Sequence, residues 1–260
     1  MPSTDLSVVI VTKNEERNIK DCLNSAKWAD EIIVVDAYST DKTVQIASKF
    51  TRNIYQRPWE GFGIQKNYSM QKATCSWIFI LDSDERISHE LRDEILSVMR
   101  SSPENVVGYQ VPRRNYFYGY WIQNCGCYPD YQLRLLRKGS GYLDDAEPHN
   151  KMILKGEMGT LRTPLDHLTS PTVNDHLRKF PNFSKLAAQE KFKTKKAVGW
   201  YDIFFPPLTT FLKIYLSKGG WREGIAGFIY SGFASLYTFL KYAKLWEMVY
   251  VRHNTQHIKQ

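Results

Sequence analysis

The stretch FILDSDERIS, residues 79–88, decides how this chain is read. It extends an apolar run that begins at Trp77-Ile78 and ends at Leu81, the pattern of a strand buried on both faces. Three acids then fall within four residues: Asp82, Asp84 and Glu85. Asp and Ser commonly close strands and open helices, and Ser88 before His89-Glu90-Leu91 predicts a helix start. Helix capping accounts for Ser88 but leaves Asp82 and Asp84 without a purpose. Two carboxylates separated by one residue in a loop can share a hard divalent cation, directly or through water.

Upstream, strand and helix signals alternate. Leu6 to Thr12 is a β-branched apolar run, and Asn14-Glu15-Glu16 leads into apolar positions Ile19, Cys22, Leu23 and Ala26 at helical spacing. Glu31 to Asp36 is a second strand, with Ser39-Thr40-Asp41 capping a helix over Thr43 to Phe50. A weaker strand at Asn53-Ile54-Tyr55 precedes a helix over Gly61 to Ala73, and Trp77 to Leu81 is the fourth strand. Alternating units with nearly continuous apolar strands predict a parallel sheet covered on both faces, an α/β, Rossmann-like half. Ligands bind such sheets at the carboxyl ends of the strands. Thr12 to Glu16, Asp36, and Asp82 with Asp84 should therefore meet at one edge.

After about residue 105 the pattern shifts to longer strand-like runs, Val106 to Pro112 and Tyr131 to Arg137, predicting mixed sheet. An aromatic loop, Tyr116 to Trp121, separates them. Arg134 and Arg137 alternate with leucines and suggest a basic strand face, meeting a diphosphate, an anionic acceptor or solvent. Residues 172–196 read as a basic helix, and Ile203 to Val251 is apolar and aromatic, interrupted at Pro206-Pro207 and Gly219-Gly220.

The bulk numbers narrow the partners. A 260-residue chain, 43% hydrophobic and 24% charged, can bury one large core or two small ones. The opening Met1 to Asp5 carries no basic region ahead of an apolar one, so a cytoplasmic working compartment is expected. Cys22, Cys75, Cys125 and Cys127 match neither a disulfide framework nor a usual zinc half-site and read as thiols. A net charge of +8 fits nucleic acid, anionic lipid or a phosphorylated ligand. The basic residues concentrate in the second half among aromatic and apolar ones, which suits an anionic membrane surface rather than nucleic acid.

The runs VVIVTKNEERNI, EIIVVDAYSTDKT, GFGIQKNYS and FILDSDERIS, in that order and spacing, resemble the inverting GT-A glycosyltransferases of family two. The later PDYQLRLLRKGSGYLDDAEPHNKM and the tail FLKIYLSKGGWREGIAG resemble, within it, bacterial enzymes that add a sugar, often glucose, to the lipopolysaccharide inner core. The resemblance covers nearly the whole chain. It implies a GT-A catalytic domain over 1–170, with a nucleotide-sugar half at 1–104 and an acceptor-side half at 105–170. Residues 171–260 follow as a helical, membrane-associating region.

The resemblance further implies a nucleotide-sugar donor, UDP-linked as the first expectation, and Mg²⁺ or Mn²⁺ as cofactor. Thr12, Asn14, Glu15, Glu16 and Asp36 map to the nucleoside side, with a strand-end turn as the alternative role of Asp36. Lys66 can approach a phosphate or lie on a solvated helix face. Asp84 is the first choice of metal ligand, with Asp82 nearer the ribose or a metal-bound water, and His167 is the third candidate. Inversion also needs a general base. Related sequences often carry His-Glu where this chain has His149-Asn150, so Glu147, then Asp145, is the expected base.

Gly224 to Leu240 has no charged residue and falls short of the ~20 residues a helix needs to cross a bilayer. Ile225, Phe228, Ile229, Phe233, Leu236, Phe239 and Leu240 recur at helical steps, with Gly227, Ser231, Ser235 and Thr238 on another face. Helices lying in the cytoplasmic leaflet of the bacterial inner membrane are expected, a packed core or a homo-oligomer interface being the alternatives. The expected acceptor is a lipopolysaccharide core or another lipid-linked saccharide; a polyprenyl phosphate or capsule precursor is the second. A nucleotidyltransferase would use similar carboxylates, but no Gly-rich basic loop stands near the N-terminus to hold a triphosphate.

Overall fold

A computed structural model describes residues 5–144, 151–194 and 197–257, the side chains of the last six excepted. The chain divides into two compact units. The first comprises residues 1–114 and 129–168, the second 115–128 and 169–260.

The first unit opens with β1 (Leu6–Thr12), α1 (Ile19–Ala26), β2 (Glu31–Asp36), α2 (Thr43–Ala47), β3 (Ile54–Gln56), α3 (Phe62–Lys72) and β4 (Trp77–Asp82). The two-residue β5 (Glu85–Arg86) and α4 (His89–Ser101) follow. Then come β6 (Val106–Phe117), β8 (Asp130–Arg137), β9 (Gly141–Leu143), β10 (Met152–Leu154), β11 (Glu157–Thr160) and β12 (Leu165–Ser170), the last residues of β6 and β12 and all of β7 (Tyr120–Trp121) belonging to the second unit. Among the described residues the main sheet runs β3-β2-β1-β4-β8-β6-β12-β5, with β11 and β7 also paired to β6. Strands β1 to β4 are parallel, whereas β8 is antiparallel to both β4 and β6, so the sheet is mixed as expected. Register places Thr12 opposite Asp36 and Val11 opposite Asp82, which brings the carboxyl ends of β1, β2 and β4 to one edge.

The alternation of side chains along each strand builds two cores. Leu6, Val8, Ile10, Val34, Phe79 and Leu81 pack with α1 and α4 on one face; Val9, Ile33, Val35, Ile78 and Ile80 pack with Met70 and Ala73 on the other. The apolar stripe Ile19, Cys22, Leu23 and Ala26 of α1 is fully buried, each larger side chain contributing about 1.5–3 kcal/mol relative to exposure. Ser88 caps α4 by accepting from the Leu91 amide at 3.1 Å. Helix α2 stops at Ala47, short of the expected Phe50.

The second unit holds α5 (Val173–Thr194), α6 (Trp200–Leu212) and α7 (Gly224–His257). The aromatic loop of the sequence reading is instead a hairpin: Tyr116 pairs with Trp121 and Phe117 with Tyr120. Its turn residues Tyr118 and Gly119 both have positive φ, the geometry that matches strand twist in two-residue hairpins. Pro206 and Pro207 lie inside α6 and do not interrupt the apolar segment; the break comes at Gly219 and Gly224, both with positive φ. Between them Glu223 accepts hydrogen bonds from the Gln123 and Asn124 amides at 3.2 and 2.7 Å.

Helix α7 packs through its small residues. A Cβ on Gly227 would overlap the Gly220 carbonyl oxygen; Ser231 is buried, and Ser235 donates to the Pro207 carbonyl at 2.9 Å. Part of its bulky face is outward, with Ile225 79% and Phe228 55% exposed, alongside Trp200 and Phe204 of α6, while Phe233 packs inward against His176 and Phe180. No helix among the described residues is long and apolar enough to cross a membrane.

Candidate active site

The acids that end β4 go to two different places. Asp82 faces cations: its Oδ1 lies 2.7 Å from Lys66 Nζ and its Oδ2 2.6 Å from Arg134 Nη2. Glu85, fully buried, shares that guanidinium at 2.5 Å, approaches Arg113 at 3.5 Å, and accepts from the Asp82 amide at 3.0 Å. Arg113 continues to Asp130 at 2.6 Å. Lys66, Asp82, Arg134, Glu85, Arg113 and Asp130 thus form one chain of alternating sign. Burial by itself would raise the Asp82 carboxyl, but the charges and hydrogen bonds of Arg134 and Lys66 hold it well below the usual carboxylate range. Burial likewise opposes the charge on Arg134, and Asp82 and Glu85 overcome it.

Local backbone geometry explains why Arg134 reaches this network. The β6 register jumps from Tyr109↔Leu135 to Gln110↔Leu133, so Arg134 is the extra residue of a bulge, a device that re-aims a side chain. The basic strand face inferred from sequence is thereby corrected. Arg134 and Arg137 meet different partners, Arg134 the carboxylates of Asp82 and Glu85. Arg137 lies instead over the Trp77 ring, 4.5 Å from its centroid, and donates to the Val106 carbonyl.

Asp84 meets a histidine. The antiparallel pairing of β12 with β5 sets His167 opposite Glu85, the Leu168 amide donates to the Asp84 carbonyl at 2.9 Å, and His167 Nε2 lies 3.3 Å from Asp84 Oδ2. Two ligands sharing an edge of an octahedron at ~2.1 Å are separated by ~3 Å, so this oxygen–nitrogen pair has the spacing of adjacent ligands to a small divalent ion. No group of three or more His, Cys, Asp or Glu among the described residues could hold an ion together. A cation at Asp84 and His167 would therefore draw further ligands from water and phosphate, which is how Mg²⁺ is usually held. Of the three residues read as ligands, the fold brings Asp84 and His167 together and gives Asp82 to Lys66 and Arg134.

At the ends of β1 and β2, Thr12 is buried and its Oγ1 has no hydrogen-bond partner. Asp36 is fully buried. It accepts from the Ser39 amide at 2.9 Å, the Ser39 hydroxyl, and Gln56 Nε2 at 3.1 Å, and so serves as a strand-end turn acceptor. Asn14, Glu15 and Glu16 lace the β1 loop to residues 39–43. Asn14 Oδ1 accepts from the Thr40 amide at 2.8 Å, the Glu15 amide donates to Thr43 at 2.7 Å, and Glu16 accepts from the Lys42 amide at 3.1 Å. Asn14 and Tyr38 both adopt left-handed backbone, uncommon for residues other than glycine and frequent at functional loops.

A cavity of about 540 Å³ opens beside Asp82, with Phe62, Lys66, Arg113, Arg134 and Lys151 in its wall. Sequence reasoning passed over Arg113, Lys151 and the structural part played by Glu85. Arg113 stands in Pro112-Arg113-Arg114, where nothing local separates a lining residue from a solvated one; only the pairing of β6 with β8 sets it opposite Asp130. The expected bases Glu147 and Asp145 lie outside the described residues.

Comparison with known proteins bears on this site and fold. A model of the family described as glycosyl transferase family 2 matches residues 7–157. The chain is 31% identical over 255 residues, 95% of its length and 94% of the relative's, to the lipopolysaccharide core biosynthesis glycosyltransferase LpsC of Rhizobium meliloti. It is 27% identical over 254 residues to an uncharacterized glycosyltransferase of Rickettsia typhi, covering 94% of this chain and 87% of that one. Among solved structures, the mannosyltransferase PcManGT from Pyrobaculum calidifontis, in complex with GDP-Man and Mn²⁺, aligns with 94% of this chain and 89% of its own. The TM-score is 0.57 at 13% identity, a likeness of fold.

Proposed function

The chain belongs to glycosyl transferase family 2 and is a glycosyltransferase, and from that premise we propose that it moves a hexose, glucose first among candidates, from a nucleotide-sugar to a lipopolysaccharide core or another lipid-linked saccharide. The observation that carries the reading is the set of cations, Lys66, Arg113 and Arg134, gathered with Asp82 at the carboxyl end of β4 around a 540 Å³ cavity. A departing nucleoside diphosphate gains negative charge as the glycosidic bond breaks, and fixed cations in a water-poor site stabilise that charge without reorganising. Lys66 already holds one carboxylate oxygen of Asp82, so an arriving phosphate meets an ammonium of defined position.

The acceptor hydroxyl oxygen bonds to the anomeric carbon from the face opposite the diphosphate. The bond to the diphosphate oxygen breaks, and its electron pair leaves with that oxygen. The hydroxyl proton passes to a carboxylate, assigned to Glu147 and, failing that, to Asp145. Asp84 and His167 are the residues that would hold a divalent cation. When bound there, Mg²⁺ or Mn²⁺ supplies Lewis-acid stabilisation of the leaving group. The nucleoside, uridine as the first expectation, is assigned to the edge formed by Thr12, Asn14, Glu15, Glu16 and Asp36. The unpartnered Thr12 hydroxyl supports that placement, since a buried donor there lacks an acceptor that a ligand could provide.

An acceptor carried by lipid agrees with the second unit. Helices that pack through Gly and Ser while turning Phe, Ile and Trp outward follow the pattern of helices whose outer faces meet lipid. A peripheral position on the cytoplasmic face of the inner membrane is the proposed location. Nucleoside diphosphate release by the purified chain, measured over a panel of nucleotide-sugars with and without a lipid-linked saccharide, tests the reading. Release stimulated by acceptor with one donor class is expected; pyrophosphate release from nucleoside triphosphates would replace the reading with nucleotidyl transfer.

A further inference from the structure

Within the second unit, a cavity of about 400 Å³ opens among Phe117, Ser170, His176, Phe180, Phe233 and Tyr237. The volume is within the ~300–1,000 Å³ usual for small-molecule pockets, which combine apolar walls with a few placed polar groups. Rings supply the wall: Phe117 and Tyr230 meet at 4.9 Å between centroids, His176 and Phe233 at 5.1 Å, and Phe180 and Phe233 at 5.9 Å. His176 belongs to this wall in its neutral form. Burial, then the charge of Lys179, lowers its pKa to about 4, and its Nδ1 lies 2.5 Å from the Tyr118 hydroxyl.

One polar atom in the wall is left over. Ser170 is fully buried and its carbonyl accepts from the Tyr118 amide at 2.8 Å, yet its hydroxyl has no hydrogen-bond partner. Buried hydroxyls are paired as a rule, because an unmet one forfeits its hydration without replacement. The same wall holds a cation. Lys179, also in the wall, donates to the carbonyl of Thr169, the residue before Ser170, at 2.5 Å. An apolar wall with one unmet hydroxyl, and one ammonium held at the carbonyl of the adjacent residue, is complementary to a hydrocarbon chain ending in an oxygen acceptor.

We propose that this cavity binds a fatty-acyl chain, with the chain against the aromatic wall and its carboxylate or ester carbonyl received by the Ser170 hydroxyl and the Lys179 ammonium. The inference concerns a site in the helical unit and does not rest on which sugar or acceptor the first unit serves. The acyl group could come from a free fatty acid or from a membrane lipid, and two probes separate these sources.

Calorimetric titration of the full chain with laurate, and separately with lauroyl lysophosphatidylcholine, both below their micelle concentrations, tests the site. Saturable binding of one laurate per chain is expected. Binding of laurate alone assigns a free fatty acid, and binding of both probes assigns a lipid-borne chain. Ala234→Phe, which fills the cavity, should abolish binding. Ser170→Ala should weaken laurate about tenfold, the scale of a hydrogen bond to a charged acceptor. The same variant should leave the ligand-free melting temperature unchanged or raised, which a hydroxyl with only a structural role would not do. If Ala234→Phe does not fold, Ser170→Ala decides alone. Absence of saturable binding to the parent chain, or equal laurate affinity in parent and Ser170→Ala, overturns the proposal.

Discussion

Replacing Arg134 by Met removes the one guanidinium that Asp82 and Glu85 share, at 2.6 and 2.5 Å, while keeping a side chain of similar length. The Arg134 and Glu85 side chains are 5% and 0% exposed, so the variant leaves a buried carboxylate short of its partner. Breaking a buried pair from one side costs about 3–5 kcal/mol. At roughly 2–4 °C per kcal/mol for a chain of this size, the first unit should melt about 6–20 °C lower. The loss should depend on pH. In the parent, Asp82 is held well below the ordinary carboxylate pKa, so it contributes stability above ~4 that is lost as pH falls toward its depressed value. The variant lacks most of that contribution, so the gap should be widest at neutral pH and narrow below about pH 4. Adding Glu85→Gln to Arg134→Met should recover part of the neutral-pH loss, since the amide needs no counter-charge. Thermal melts followed by far-UV circular dichroism at pH 7.5 and at roughly pH 2, well inside the window where the Asp82 contribution is being lost, provide the test. An Arg134→Met midpoint within about 2 °C of the parent at pH 7.5 would refute the reasoning that this network is a buried, mutually dependent unit.

Asp84→Asn should abolish transfer with no more than a small change in melting temperature, because Asp84 pairs with His167 at 3.3 Å on a partly exposed loop; activity near the parent's at limiting Mg²⁺ or Mn²⁺ would remove Asp84 from metal binding. Glu147→Gln should lower turnover by ~10²–10⁴ with donor affinity nearly unchanged, the worth of general base catalysis; full activity there, with a large loss in Asp145→Asn, moves the role two residues upstream. In vesicle flotation the full chain should float with anionic lipid and float less at high salt, each surface-facing basic residue contributing about 1 kcal/mol. Lys213 and Arg222 are expected to carry more of that salt-sensitive share than Lys244, whose ammonium is already committed to the Pro181 carbonyl and Ser184 hydroxyl. A chain that stays soluble with every lipid and salt condition would leave the exposed Trp200, Phe204 and Phe228 to another role.

Much of the first unit was legible because its signals are local. The strands at Leu6, Glu31 and Trp77 are continuous apolar runs, and their carboxyl ends had to share one edge once the sheet was parallel. The acids resisted division by role, since D-x-D-E reads alike whether a carboxylate meets a metal or a buried arginine. The deciding facts are long-range: the β8 bulge aims Arg134 at Asp82 and Glu85, and the β5–β12 pairing carries His167 to Asp84. The two prolines of α6 read as a break because propensity weighs against them, yet the helix continues through both. For α7, helical spacing set Ile225, Phe228, Leu236 and Phe239 on an exposed side but grouped with them Phe233, which packs against His176 and Phe180, and spacing alone cannot tell which face packs. The close approach of Gly227 to the Gly220 carbonyl settles that.

The most direct test of the central claim follows a labelled hexose. Purified chain, a UDP-hexose labelled at the anomeric carbon, Mg²⁺ and vesicles bearing a truncated lipopolysaccharide core are incubated together, and the lipid product is isolated for NMR of that carbon. The account predicts that label passes to the lipid-linked saccharide with inverted anomeric configuration, and that chelating the cation stops it. Label found only as free hexose, or incorporated with its configuration retained, would contradict the account.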